Sequence, residues 1–438
     1  FHSISVIFNT GLTNRKKIGI PRPMYVEKLM NSEDVDIDNI QLGANKVSSF
    51  TWKQLLDSVA CTECARCSTV CPATATGKPL SPMKIITDIR QALYDKGLKN
   101  KNTQIVNGLI SEEELWSCTT CGACMEECPV LIDHAPTIID MRRHLVLSEG
   151  KPPTQATDSL EKTTQNGNPW GFPQRERVKW TEELDFEIPI LADKKETDVL
   201  FWVGCAGSYD PRNQKVSQSI AKILHAAKID FAILGNVEKC TGDSARRLGD
   251  EYLFESMATS NVDLLKNYKF NRILTGCPHC LHTIKNEYPD FNGNFEVTHH
   301  SQFISQLLKE NKIQIANKNK QKVSFHDPCY LGRYNKEYDS PRQVIAQVLE
   351  YKENLLEMEK NKSDSFCCGA GGGNMWYEIQ KGDRININRF EQAMDTGADT
   401  VATGCSFCMI MMDDAMKVKG QEKEMQVLDL AELVAKSL

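Results

Sequence analysis

Phe366-Cys367-Cys368-Gly369-Ala370-Gly371-Gly372-Gly373 sets two adjacent cysteines in front of a glycine run. Neighbouring thiols do not easily close a disulfide with each other, and glycine adds nothing to a core. Bound metal accounts for both features. Glycine lets the backbone come close and turn its N–H groups toward a thiolate or an inorganic sulfur, which makes Gly369 and Gly371 candidate cofactor-binding positions. With Cys329 upstream and Cys405-x-x-Cys408 downstream, five thiols are available to one cofactor.

Working outward from this stretch, short apolar runs alternate with amphipathic helices from Thr197 to the end, the mark of an α/β layer architecture. Val199–Val203, Phe231–Leu234 and Arg272–Thr275 read as strands and Val216–Ala227 as a helix. The scheme then recurs through Val323–Phe325, Val344–Leu349, Leu355–Met358 and Thr400–Thr403, so the second half reads as a duplication of the first. The cysteines repeat with it. Cys205, Cys240, Cys277 and Cys280 are spaced by 35, 37 and 3 residues, and Cys329, Cys367, Cys405 and Cys408 by 38, 38 and 3. Both Cys-x-x-Cys pairs follow predicted strands, which places thiols at carboxyl strand ends, where open α/β sheets gather ligands.

Upstream, Cys61-x-x-Cys64-x-x-Cys67-x-x-x-Cys71-Pro72 and Cys118-x-x-Cys121-x-x-Cys124-x-x-x-Cys128-Pro129 each match the run that binds a cubane iron–sulfur cluster. In two-cluster ferredoxins the fourth cysteine serves the other cluster. By that rule Cys61, Cys64, Cys67 and Cys128 hold one cluster, and Cys118, Cys121, Cys124 and Cys71 the second. Such clusters transfer single electrons. The surrounding pattern is helical: Ser81-Pro82 opens a helix with Ile85, Ile86, Ile89 and Leu93 on one face, stopped by Gly97, and Ile138–Val146 suggests another ending near Gly150.

The fold class expected is therefore α+β multidomain, a helical two-cluster ferredoxin domain followed by two duplicated α/β cysteine-rich domains. The expected boundaries are a lead-in over 1–50, the ferredoxin domain over 51–150, a linker over 151–196, and the two copies over 197–320 and 321–438. In the lead-in, Asp34, Asp36 and Asp38 alternate with Val35 and Ile37, a short strand or a solvated loop, and Phe1–Phe8 reads as a surface strand or a disordered terminus. Trp170 and Phe172 are expected to anchor the linker.

The totals narrow the class. Seventeen cysteines in 438 residues, an odd number gathered in tight groups, point to reduced thiols holding metal and away from disulfides. A net charge of −6 without a basic stripe argues against nucleic acid. No dinucleotide fingerprint, phosphate loop or Ser/His/Asp grouping is present, so flavin or nicotinamide, if used, comes from another subunit.

Cys329, Cys367-Cys368-Gly369 and Cys405-x-x-Cys408 resemble the cysteine-rich domain of the heterodisulfide reductase family, and the resemblance runs from Trp52 to the end. That family includes iron–sulfur subunits of glycolate and lactate oxidising complexes and oxidoreductases that pass electrons from electron-transfer flavoprotein to menaquinone. The resemblance implies a non-cubane 4Fe–4S cluster on the five cysteines, which makes Cys329, Cys367, Cys368, Cys405 and Cys408 the candidate catalytic centre. His326 beside it is a candidate proton donor or acceptor. The first copy departs from the pattern with Cys240-Thr241-Gly242, one bridging thiolate short; its four cysteines suit a cubane cluster, zinc or nothing.

The function expected is electron relay between a flavoprotein and a membrane quinone at the cytoplasmic face of the cytoplasmic membrane. Its N-terminal side would join or dock on a haem-bearing membrane anchor. Reduction of a heterodisulfide, or service as the iron–sulfur subunit of a glycolate or lactate dehydrogenase, are the alternatives.

Overall fold

The computed structural model describes residues 2–14, 19–30, 42–96 and 104–438. The acidic alternation at Asp34–Asp38 and the Gly97 helix stop lie outside them. The chain forms two compact units, one of Phe1–Thr157, Ser244–Glu255 and Gly369–Ile385, the other of Asp158–Asp243, Ser256–Cys368 and Asn386–Leu438.

In the first unit, the helix Trp52–Ala60 opens on a capping box in which Thr51 and Gln54 satisfy each other's backbone N–H. It delivers Cys61 at its C-terminal end. Pro82–Lys96 is the helix expected from Ser81-Pro82, with Ile85, Ile86 and Ile89 fully buried. His134–Arg143 passes into a π turn over His144–Ser148, close to the expected end at Gly150.

The N-terminus differs from expectation. His2–Leu12 is a helix, neither strand nor disordered, and its polarity is inverted. Asn9 is completely buried, its Nδ2 donating to Asp57 Oδ1 at 2.8 Å and to the Val130 carbonyl at 2.8 Å. Ile4, Ile7, Phe8 and Leu12 are exposed instead. A reading keyed to apolar residues facing inward misses a helix fastened by an amide. Asn9→Ala leaves the Val130 carbonyl and Asp57 each one donor short, and chemical denaturation should register a loss of about 1–3 kcal/mol.

The second unit carries the duplication. Strands β1 (Glu196–Trp202), β2 (Phe231–Ile233), β3 (Lys269–Thr275) and β4 (Val297–His299) form one sheet in the order β2-β1-β3-β4. Strands β5 (Val323–Phe325), β6 (Leu355–Leu356), β7 (Thr400–Thr403) and β8 (Gln426–Asp429) form another, in the matching order β6-β5-β7-β8. Every pairing is parallel, and Val199–Trp202 and Thr400–Thr403 are buried throughout, as strands covered on both faces must be. Strands β4 and β8 complete each sheet beside β3 and β7.

The two copies are stitched together by polar contacts. Arg212 forks onto Glu432 at 2.9 and 2.7 Å, His300 Nε2 lies 2.8 Å from Asp429 Oδ1, and His299 Nε2 lies 3.0 Å from the Gly404 carbonyl. His299 and His300 are thus structural. Residues 154–166, inside the expected linker, form a helix. Its buried stripe, Ala156, Ser159, Leu160 and Thr163, is half hydroxylic, so hydrophobic periodicity does not reveal it.

Candidate metal centres

The two ferredoxin runs adopt one loop conformation twice. Glu63 and Ala65 in the first run have φ of 53° and 61°, and their equivalents Thr120 and Gly122 in the second have 48° and 77°. These left-handed residues wrap the chain so that N–H groups turn inward: Thr120 N donates to Cys118 Sγ at 3.4 Å, and Ile132 N to Cys128 Sγ at 3.4 Å. Each run then enters a one-turn helix carrying its third cysteine, Arg66–Thr69 with Cys67 and Ala123–Glu126 with Cys124.

The fourth cysteines cross over. Cys71, Cys118, Cys121 and Cys124 line one cavity together with Pro72, Leu80, Pro82 and Ile138. Cys128 instead packs in one buried cluster with Cys61, Ile86, Val130 and Ile132. Burial pushes the thiols of Cys67 and Cys71 up to about 11 and about 12, and raises Cys61, Cys124 and Cys128 as well. Cys64, which is exposed, is lowered by the Arg66 backbone N–H. No disulfide forms among the seventeen cysteines. Clustered sulfurs in largely apolar surroundings fit a cationic metal centre that holds them as thiolates.

In the second unit six of the nine cysteines lie beyond the carboxyl ends of the central strands. Cys205 follows β1 in the helix Gly204–Tyr209; Cys277 follows β3 and caps Pro278–His282, which carries Cys280. Cys329 follows β5, and Cys405 follows β7 and caps Ser406–Val418, which carries Cys408. Cys205 and Cys240 lie close enough for each to shift the other's titration, and so do Cys277 and Cys280. Cys277 also neighbours Cys405, so thiols of the two copies lie close together. Cys408 Sγ lies 3.3 Å from Cys368 Sγ, a non-bonded distance that leaves both available to metal. All five cysteines of the second copy are buried.

The first copy contains a group that the sequence pattern does not reveal. Arg177, fully buried, donates to Cys205 Sγ at 3.6 and 3.8 Å and to Glu238 Oε1 at 2.7 Å. Glu238 in turn accepts from the N–H groups of Val203 and Gly204 at 3.1 and 2.8 Å. Arg177 comes from the irregular stretch before β1, and nothing local marks it; the partner lies 28 residues on. Thr241, where the motif of the second copy has its second cysteine, is buried, with Tyr288 Oη donating to its carbonyl at 3.1 Å.

Among the arginines near the second copy's cysteines in sequence, Arg342 forks onto Asp327 at 2.7 and 2.9 Å and Arg333 binds the Ser365 carbonyl. Arg389 binds His326. Arg384 pairs with Glu378 in the first unit. His279 pairs with Asp243 at 2.9 Å and stacks on Tyr330. Gly369, Gly372 and Gly373 have φ of 95°, 68° and 82°. A Cβ on Gly371 would fall 2.3 Å from the Thr119 carbonyl oxygen, and one on Gly372 2.2 Å from that of Cys118. The glycine run thus lies against the backbone of the second ferredoxin loop.

Comparison with known proteins agrees with this architecture. Residues 53–129 match the 4Fe-4S dicluster domain, and residues 199–285 and 323–413 each match the cysteine-rich domain named for the Cys-Cys-Gly motif. A "Probable iron-sulfur-binding oxidoreductase FadF" of Bacillus subtilis is 39% identical over 94% of this chain and 64% of its own length. An "EtfAB:quinone oxidoreductase" of Syntrophomonas wolfei is 35% identical over 90% and 60%. The chain therefore spans about three fifths of these relatives' length. A chain of the "Dihydromethanophenazine:CoB--CoM heterodisulfide reductase" of Methanosarcina mazei is 30% identical over 89% of this chain and 96% of its own. The chain belongs to the heterodisulfide reductase-like iron–sulfur family, with a two-cluster ferredoxin domain ahead of two cysteine-rich copies.

Proposed function

We propose that this chain relays electrons between a flavoprotein of the electron-transfer flavoprotein kind and a membrane quinone. Cys61, Cys64, Cys67 and Cys128 hold one cubane cluster, and Cys71, Cys118, Cys121 and Cys124 the other. Cys329, Cys367, Cys368, Cys405 and Cys408 hold a non-cubane cluster. Cys205, Cys240, Cys277 and Cys280 take a further cluster or zinc. The observation that carries this reading is the unequal pair of copies, a full five-thiol set whose Cys405 neighbours Cys277 of a four-thiol set with Thr241 in place of a cysteine. A relay needs one-electron centres close together and no second disulfide-cleaving site.

The clusters, when bound, supply one-electron chemistry. The protein's own residues bury the sulfurs, aim N–H groups at them and keep bulk water out, which sets potential. Among the described residues no helix is long and apolar enough to cross a membrane. A relative in Chromohalobacter salexigens, 40% identical over 92% of this chain, is named "Probable membrane-anchored ferredoxin". The exposed apolar face of His2–Leu12 suits contact with a haem-bearing membrane anchor, at the cytoplasmic face of the cytoplasmic membrane.

The anaerobically purified chain should contain about twelve irons from the two runs and the five-thiol site, more if the first copy is filled. It should be reduced by flavoprotein and reoxidised by a menaquinone analogue. Failure of both transfers with the clusters intact sinks the relay. The second reading, heterodisulfide reduction, is favoured by the Methanosarcina relatives, matched over 96% of their length. Thiol release from a heterodisulfide under a low-potential donor would select it.

A further inference from the structure

Among the described residues, the histidine grouped with cysteines of the five-thiol site is His326. His326 follows β5 and is buried at 1% exposure. A ring nitrogen of His326 and the Sγ atoms of Cys368 and Cys408 all lie within 4.8 Å of one another. Arg389 Nε donates to His326 Nδ1 at 2.9 Å. The guanidinium is itself fixed, donating to the Lys360 carbonyl at 2.9 Å, Gln392 Oε1 at 2.8 Å and Ser365 Oγ at 3.2 Å.

This arrangement decides the tautomer. Arginine has donors only, so Nδ1 offers its lone pair to Arg389, and the ring hydrogen of the neutral imidazole sits on Nε2. Nε2 is buried and, among the described residues, has no hydrogen-bond partner. A buried N–H without an acceptor is costly, and the Cys368 and Cys408 sulfurs are the ligand-type atoms grouped within 4.8 Å of a His326 ring nitrogen. An iron-ligating Nε2 would need its own lone pair and a hydrogen on Nδ1, directly against the Arg389 N–H.

We infer that His326 is a fixed N–H donor to the Cys368 and Cys408 sulfurs and not an iron ligand, with Arg389 as the positioning residue that holds its tautomer. The inference rests on the reading that those cysteines carry a cluster. An N–H···S bond stabilises the more negative, reduced cluster and raises its potential.

Two measurements on the holoprotein test this. Electron–nuclear double resonance on histidine-¹⁵N-labelled protein, with the second-copy cluster paramagnetic, should show one weakly coupled nitrogen and a proton that exchanges in D₂O. A strongly coupled, directly bonded nitrogen overturns the inference, and so does the absence of any coupled nitrogen. His326→Leu should shift the reduction equilibrium of that cluster about tenfold toward the oxidised form, about 59 mV for one electron. His326→Gln, whose amide oxygen can accept from Arg389 while its NH₂ faces the sulfurs, should restore most of the shift. An unchanged potential in His326→Leu overturns the inference. If Cys367→Ser loses no cluster signal, the cluster reading itself falls and takes this one with it; a cluster lost in Cys367→Ser but indifferent to His326 removes the hydrogen bond alone.

Discussion

Cys71→Ser should abolish the cluster of the second ferredoxin run while leaving that of its own run in place. Cys71 lies 47 residues before Cys118 in sequence, yet it lines the same buried cavity as Cys118, Cys121 and Cys124. Cys128 packs against Cys61 instead. Serine keeps the volume but offers oxygen in place of soft sulfur, a poor ligand for iron held in sulfide. About four irons per chain should go, and the exchange with flavoprotein or quinone analogue should fall at least about tenfold, since a relay missing one centre must cross a longer gap. Double variants assign the loss. Cys71→Ser with Cys118→Ser should lose no more iron than either alone, because both break one cluster, whereas Cys71→Ser with Cys64→Ser should lose about twice as much. If Cys71→Ser and Cys64→Ser together cost only one cluster, the ligands do not cross over, and each run keeps its own.

The features legible in the sequence are those that local pattern or spacing encodes. The strands around Val199, Phe231, Arg272, Val323 and Thr400 stand out because buried parallel strands are continuous apolar runs. The two copies declare themselves through repeated cysteine intervals. Side chains that act across long intervals leave no such trace. Arg177 reaches Cys205 and Glu238 from a stretch without periodicity. The helix His2–Leu12 is held by Asn9 and turns its apolar residues outward. The glycine run is legible as a place of close approach. Its neighbour on this face, the backbone of Cys118 and Thr119 some 250 residues earlier, is not, since nothing local to glycine names the chain that packs against it.

Arg142 is the clearest case of a long-range residue, and its removal should be the most damaging single change outside the cysteines. It is completely buried. Its Nε and Nη2 donate to the Leu115 carbonyl at 3.1 and 2.6 Å, and Nη2 also to that of Cys118 at 2.6 Å. Nη1 donates to the carbonyls of Arg247 and Gly372, both at 2.8 Å. One guanidinium thus fastens the second ferredoxin loop, the segment Ser244–Glu255 and the glycine run within a single unit, and it lies 5.1 Å from the centroid of the Trp116 ring. Its charge is met in these contacts by four carbonyl dipoles and by no carboxylate. In Arg142→Leu those oxygens keep their burial and lose their donor, a penalty of about 1–3 kcal/mol each before relaxation, and about 3–5 kcal/mol in all is expected, as for other broken buried charge networks. Arg142→Lys, with three donors on one nitrogen, can serve part of the set and should fall between. Because the Cys118 carbonyl is one of the anchors, loosening should appear first at the second run's cluster. Release of its iron to a chelator should quicken at least about tenfold, which takes only about 1.4 kcal/mol at the opening step, while the cluster of Cys61, Cys64, Cys67 and Cys128 stays close to its original rate. Equal acceleration at both clusters would mean that Arg142 supports the unit as a whole, and no acceleration at either would mean that the four carbonyls find other partners.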